Sequence, residues 1–105
     1  MPKQDDYPIH TRLTAEAAAT RLADLHEEWS MNADATSIER TITCRGFAKA
    51  TYLANLAAYL ADRQGHHPDI AFGVGYCRIA YTTYDVDGLS ENDFVSAAAF
   101  DRLLA

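Results

Sequence analysis

The sequence predicts an α+β domain in which a four-stranded antiparallel sheet carries three helices packed on one face. Two observations lead there. Segments with helical apolar spacing and segments that alternate with period two follow one another as helix, strand, strand, helix, strand, strand, helix. The strands within each pair are joined by short turns, which suits antiparallel neighbours, whereas a parallel pair needs a crossover of a dozen or more residues. The chain has 105 residues, so there is room for one domain. With 49% hydrophobic and 23% charged residues, it can build a core without disulfide or metal staples.

Each element has its own signal. Residues 1–10 hold two of the three prolines and read as a flexible arm, leaving residues 11–105 as the folded domain. Thr14 caps a first helix running to about Glu28, with Ala17, Ala18, Leu22 and Leu25 at helical spacing. Trp29–Met31 is a short strand able to pair with the next. In residues 37–44, Ile38, Ile42 and Cys44 share one face and Glu39, Thr41 and Thr43 the other, with Arg40 interrupting the apolar face. Residues 47–64 form the strongest helix. Phe47, Ala50, Ala54, Ala57 and Ala61 make a small-residue stripe that lets it lie close to a sheet, and Gly65 suits a left-handed stop. Pro68 forces His67 into an extended conformation. Residues 69–72 are a short strand. In residues 76–84, Cys77, Ile79, Tyr81 and Thr83 alternate with Tyr76, Arg78, Ala80, Thr82 and Tyr84. Asp87-Gly88 signals a turn, and Ser90 with Asp93 forms a capping-box pattern at the start of a last helix over residues 91–104.

Charge and composition remove several classes of function. Nine basic against 15 acidic residues give a net charge of −6, opposite to the basic stripe of a nucleic-acid binder and ill suited to an anionic membrane surface. No apolar run reaches the ~18–20 residues of a membrane span, and the polar start shows no signal-peptide core, so a cytoplasmic protein is expected. Cys44 and Cys77 lack metal-ligand spacing and read as small core residues, so no metal site is expected.

The sharpest chemical feature is Gly65-His66-His67-Pro68-Asp69, where a helix ends and a strand begins. Two imidazoles at a helix end can converge on one pocket, and imidazole is the side chain best matched to proton transfer near neutral pH. Asp62 precedes His66 by one helical turn, within reach to orient it. Taken alone, a His-His pair in a loop is more often a solvated turn.

In its surroundings the pattern says more. Asp62-x-x-x-His66-His67-Pro68-Asp69-Ile70, followed by Gly88-Leu89-Ser90-Glu91-Asn92-Asp93-Phe94, closely resembles the pterin-4a-carbinolamine dehydratase family. Leu13-Thr14, Trp29, Ile38-Glu39-Arg40 and Phe47 extend the resemblance over about residues 12–104. It implies the same fold, assembly as a homodimer or homotetramer, and dehydration of 4a-hydroxytetrahydropterin to quinonoid dihydropterin with no metal or cofactor. It also implies residue roles. His66 and His67 are acid–base and binding groups, and Asp62 is the orienting carboxylate. Pro68 and Asp93 flank the pterin, Asp93 also capping the last helix. Trp29 walls the pocket or serves as a core or dimer-contact tryptophan.

Two positions depart from the family pattern. Val74 stands where an aromatic residue is usual, and Tyr84 stands where a third histidine is usual. A phenol with an ordinary pKa of ~10 cannot shuttle protons at pH 7, though it can donate a hydrogen bond or fill the pocket. Asp87 adds negative charge near the expected mouth. These departures favour a member that works by binding protein, as do relatives that assist Rubisco assembly in carboxysome systems, with the Rubisco large subunit as the client and a pterin as a residual ligand. The alternative is an active dehydratase in pterin recycling.

Overall fold

The computed structural model describes residues 11–105, so the expected arm at residues 1–10 lies outside the described residues. The elements are α1 (Ala15–Leu22), β1 (Trp29–Met31), β2 (Ile38–Thr43), α2 (Gly46–Gln64), β3 (Asp69–Gly73), β4 (Tyr76–Tyr81) and α3 (Glu91–Leu104). The strands pair antiparallel in the order β1-β2-β4-β3, the fold class expected. In register, Ile38 lies opposite Tyr81, and Ile70 opposite Ile79.

The period-two pattern decides which face is buried. Ile38, Cys77, Ile79 and Tyr81 point into the helical layer, while Glu39, Thr41, Thr43 and Arg78 stay exposed. Against the inner face lie Leu53, Ala57 and Leu60 of α2, Phe94, Ala97 and Phe100 of α3, and Ala18 of α1. Ala50, Ala54, Ala57 and Ala61 are all buried, so the alanine stripe does seat α2 close against its neighbours. Phe47, placed in that stripe by spacing, is instead 54% exposed: it sits in the first turn of α2 and meets the edge strand at Phe72. Burial, and then the neighbouring Cys44, pushes the Cys77 thiol pKa up, which suits a core residue.

Two elements are shorter than expected. Thr14 Oγ1 accepts from the Ala17 amide at 3.1 Å and starts α1 as expected, but the helix stops at Leu22, not near Glu28. Beyond it the bonds tighten to Asp24 N–H to Arg21 O and Leu25 N–H to Leu22 O, and the His26 amide donates to Asp101 of α3. The chain is thereby drawn off the helix axis. β4 ends at Tyr81 because Thr83 leaves the β2 ladder, its N–H donating to Gly88 O at 2.8 Å. The loop thus closed contains a 3-10 turn, Tyr84–Val86.

Arg40 interrupts the apolar face because it is a buried charge with partners. Its guanidinium reaches Glu28 at 2.9 Å and Asp101 at 2.7 Å, and Asp101 also accepts from Trp29 Nε1 at 2.8 Å. Pairing of this kind is what makes a buried cation tolerable. The cluster ties β1 and β2 to the end of α3. Among the described residues, no helix is long and apolar enough to cross a membrane.

Candidate active site

The site begins with one backbone angle. Gly65 takes φ 71°, and its N–H closes α2 onto Ala61 O. A left-handed residue costs glycine little and other residues more, so the chain can turn here and leave the helix. His66 therefore no longer continues the helical register that would stack it over Asp62. Its ring turns toward the start of α3, where Nε2 lies 2.7 Å from Asp93 Oδ1. It also stacks on Tyr81, with centroids 5.7 Å apart and planes 11° from parallel.

Asp93 is fully buried and fully used. Its Oδ2 accepts from the Ser90 amide at 2.9 Å, the carboxylate half of the expected capping box. The same oxygen accepts from Thr83 Oγ1 at 2.8 Å, and Thr83 Oγ1 lies 2.7 Å from Ser90 Oγ. An ionised carboxylate can only accept, so against it Nε2 of His66 is the donor. The N-terminal end of α3 further favours the negative charge. The carboxylate that holds His66 is thus Asp93, not Asp62. Asp62 stays on the exposed face of α2, because the turn at Gly65 carries His66 away from it.

Beside this buried pair opens a cleft of about 230 Å³, lined by Gly65, His66, His67, Thr82, Thr83, Tyr84 and Asp85. His67 is exposed there, and Pro68 is half-buried behind it. Tyr84 stands on the rim, 72% exposed, so it borders the cleft without filling it. The acidic residue at the mouth is Asp85; Asp87 lies beyond the lining. Val74 is far away. It occupies the β3–β4 turn at the opposite end of β4, roughly 17 Å along the strand at ~3.3 Å per residue.

Trp29 is also outside the cleft. It is 5% exposed, and its ring meets Tyr81 at 6.0 Å, so Tyr81 lies between it and His66. The core position left open by the sequence is where it sits. Burial, then Asp93, then Asp101, pushes the Tyr81 phenol pKa well up, so Tyr81 is a neutral platform at ordinary pH. Thr83 was missed as a site residue although a signal existed, because it shares parity with Cys77, Ile79 and Tyr81 and so points inward. Asp85 had no signal, since its place depends on the Thr83–Gly88 closure.

Chemically, the arrangement pairs a fixed imidazole on a buried carboxylate with a solvent-facing imidazole one residue on, at the edge of an open cleft. That suits transfer of two protons at separate atoms of one small substrate. Among the described residues no group of His, Cys, Asp and Glu side chains could hold a metal ion.

Comparison with known proteins bears on this geometry. The profile of the family described as pterin 4 alpha carbinolamine dehydratase matches residues 11–103. A protein of Paracoccus denitrificans with a provisional pterin-4-alpha-carbinolamine dehydratase name is 45% identical over 89 residues, spanning 85% of this chain and 82% of its own. One of Methylococcus capsulatus with the same provisional name is 41% identical, spanning 89% and 81%. The crystal structure of a transcriptional coactivator/pterin dehydratase from Brucella melitensis superposes with a TM-score of 0.81 at 22% identity, over 90% of this chain and all of that one. A pterin dehydratase-like protein described as a RuBisCO assembly factor in the alpha-carboxysome gives a TM-score of 0.61 at 23% identity, over 74% and 90%. At these identities the two structures speak to the fold alone.

Proposed function

Since the chain belongs to the pterin 4 alpha carbinolamine dehydratase family, we infer that its cleft binds a 4a-hydroxytetrahydropterin and eliminates water from it. The observation that carries this reading is the open cleft holding both His66 and His67, with His66 anchored on Asp93 and Tyr84 at the rim. Elimination breaks the bond from ring carbon C4a to its hydroxyl. One group protonates that hydroxyl, which departs as water, and a second takes the proton from ring nitrogen N5, giving the quinonoid dihydropterin. His67, exposed to the cleft, is assigned the proton transfer that must exchange with solvent. His66, held by Asp93, is assigned the partner role, and Tyr84 donates a hydrogen bond from the rim. No redox step is required, because water is lost without a change in electron count.

Binding of a 7,8-dihydropterin, a stable analogue of the product, tests the site. Titration should displace the resonances of His66, His67, Thr83 and Tyr84. Displacement elsewhere, or no saturable binding, contradicts the assignment.

A protein-binding role is the second reading, favoured by the aromatic side chains Tyr52 and Tyr59 exposed along α2. They also suit the homodimer or homotetramer implied by the family. For the Rubisco large subunit as client, co-expression should raise the yield of assembled enzyme; unchanged assembly without this protein counts against it.

A further inference from the structure

The acidic residues avoid one end of the molecule. Residues 41–61 and 70–84 contain no Asp or Glu, although the chain holds 15. The parts of these stretches farthest from the cleft, residues 44–49 and 72–76, build the opposite end, where the β3–β4 turn meets the start of α2. The Gly75 amide donates to Gly46 O at 3.2 Å, and the Cys44 amide to Gly75 O at 3.0 Å, so the turn and the helix start form one surface. On it Phe47 and Phe72 meet with ring centroids 5.7 Å apart. Val74, 78% exposed, forms the tip, and Tyr76 folds over Gly73, where an added Cβ would come within 2.8 Å of the ring. Arg45 and Lys49, both exposed, carry the charge at this end, Arg78 being paired with Glu39 at 4.0 Å. The first turn of α2 has no acidic residue and no side-chain cap, so the helix dipole adds the same sign.

We propose that this end, formed by Arg45, Phe47, Lys49, Phe72 and Val74, is a docking surface for an acidic, apolar segment of another polypeptide. Charge complementarity selects that occupant. The local surface is cationic and aromatic, the composition that anchors a partner by a few buried rings with charges at the rim. A membrane or a nucleic acid is also anionic, but it is extended and feels the whole molecule, whose net charge is −6. A short peptide contacts only the cationic end, within about one Debye length. This surface lies at the other end of β4 from His66 and His67, so it stands independently of the dehydratase reading.

The probe is a soluble synthetic peptide in which Glu and Asp are interspersed with Leu and Phe, titrated into the isotopically labelled protein. Saturable binding should displace resonances at residues 45–49 and 72–76 and leave those of His67 and Tyr84 in place. The R45E/K49E double variant should bind about tenfold more weakly, as should Val74→Asp. All three positions are exposed, and an unchanged amide spectrum verifies each variant's fold. The proposal is overturned by absence of saturable binding, by displacement centred on the cleft, or by equal binding of a peptide with Lys in place of the acids. It is also overturned if phosphatidylglycerol vesicles bind where the acidic peptide does not.

Discussion

At the scale of single residues, the two adjacent histidines divide the work. His66 is buried with Nε2 committed to Asp93, while His67 faces the cleft. Replacing His67 with Ala should lower the dehydration rate by roughly 10²–10⁴-fold, the usual worth of a positioned acid or base, and leave the unfolding temperature unchanged. Parallel kinetic and thermal measurements check both halves. Asp93→Ala should act on both, because it strands His66 and the Ser90 amide without an acceptor and takes one of Thr83's two partners. A loss of about 2–4 kcal/mol in denaturant unfolding is expected. Tyr84→His should raise the turnover rate with stability unchanged, since the rim position is solvent-exposed. The histidine pair and the capping pattern were legible in the sequence, because both are local. That Asp93 and not Asp62 holds His66 was not, since it depends on a contact spanning 27 residues.

At the scale of elements, the stop of α2 positions the site. Gly65→Ala places a Cβ in a left-handed conformation and should cost about 1 kcal/mol, read as a lower unfolding temperature. Pterin affinity should fall with it, because His66 and His67 follow directly. The helix and strand faces could be read from periodicity alone, including the alanine stripe of α2. The ends of α1 and β4 could not. α1 is cut short by the pull of Asp101 on the His26 amide, and β4 by the bridge from Thr83 to Gly88. Both are tertiary contacts that override local propensity. Arg40 looked like a break in an apolar face because its partners, Glu28 in the turn before β1 and Asp101 in α3, lie outside its own strand.

At the scale of the whole molecule, Tyr81 joins the two ends of α3, lying between His66 above Asp93 and Trp29 above Asp101. Its pKa is raised in the folded chain above the ordinary ~10 of an unfolded tyrosine. The neutral form is therefore the one that folding favours. That stability is complete below about pH 10 and is lost as pH rises toward the folded value, at up to about 1.4 kcal/mol per pH unit. Tyr81→Phe should flatten this alkaline limb in pH-dependent unfolding. It should cost little at neutral pH, because the buried hydroxyl has no hydrogen-bond partner among the described residues. The departures at Val74 and Tyr84 weigh less in three dimensions than they do in sequence. Val74 belongs to the opposite end of the molecule, and Tyr84 borders a cleft that stays open. The measurement that reaches the central claim most directly is the rate of 4a-hydroxytetrahydropterin dehydration in a rapid-mixing assay. Wild-type protein should accelerate it over buffer, and folded His67→Ala should not. A wild-type rate equal to buffer, or a His67→Ala rate equal to wild type, would contradict the account.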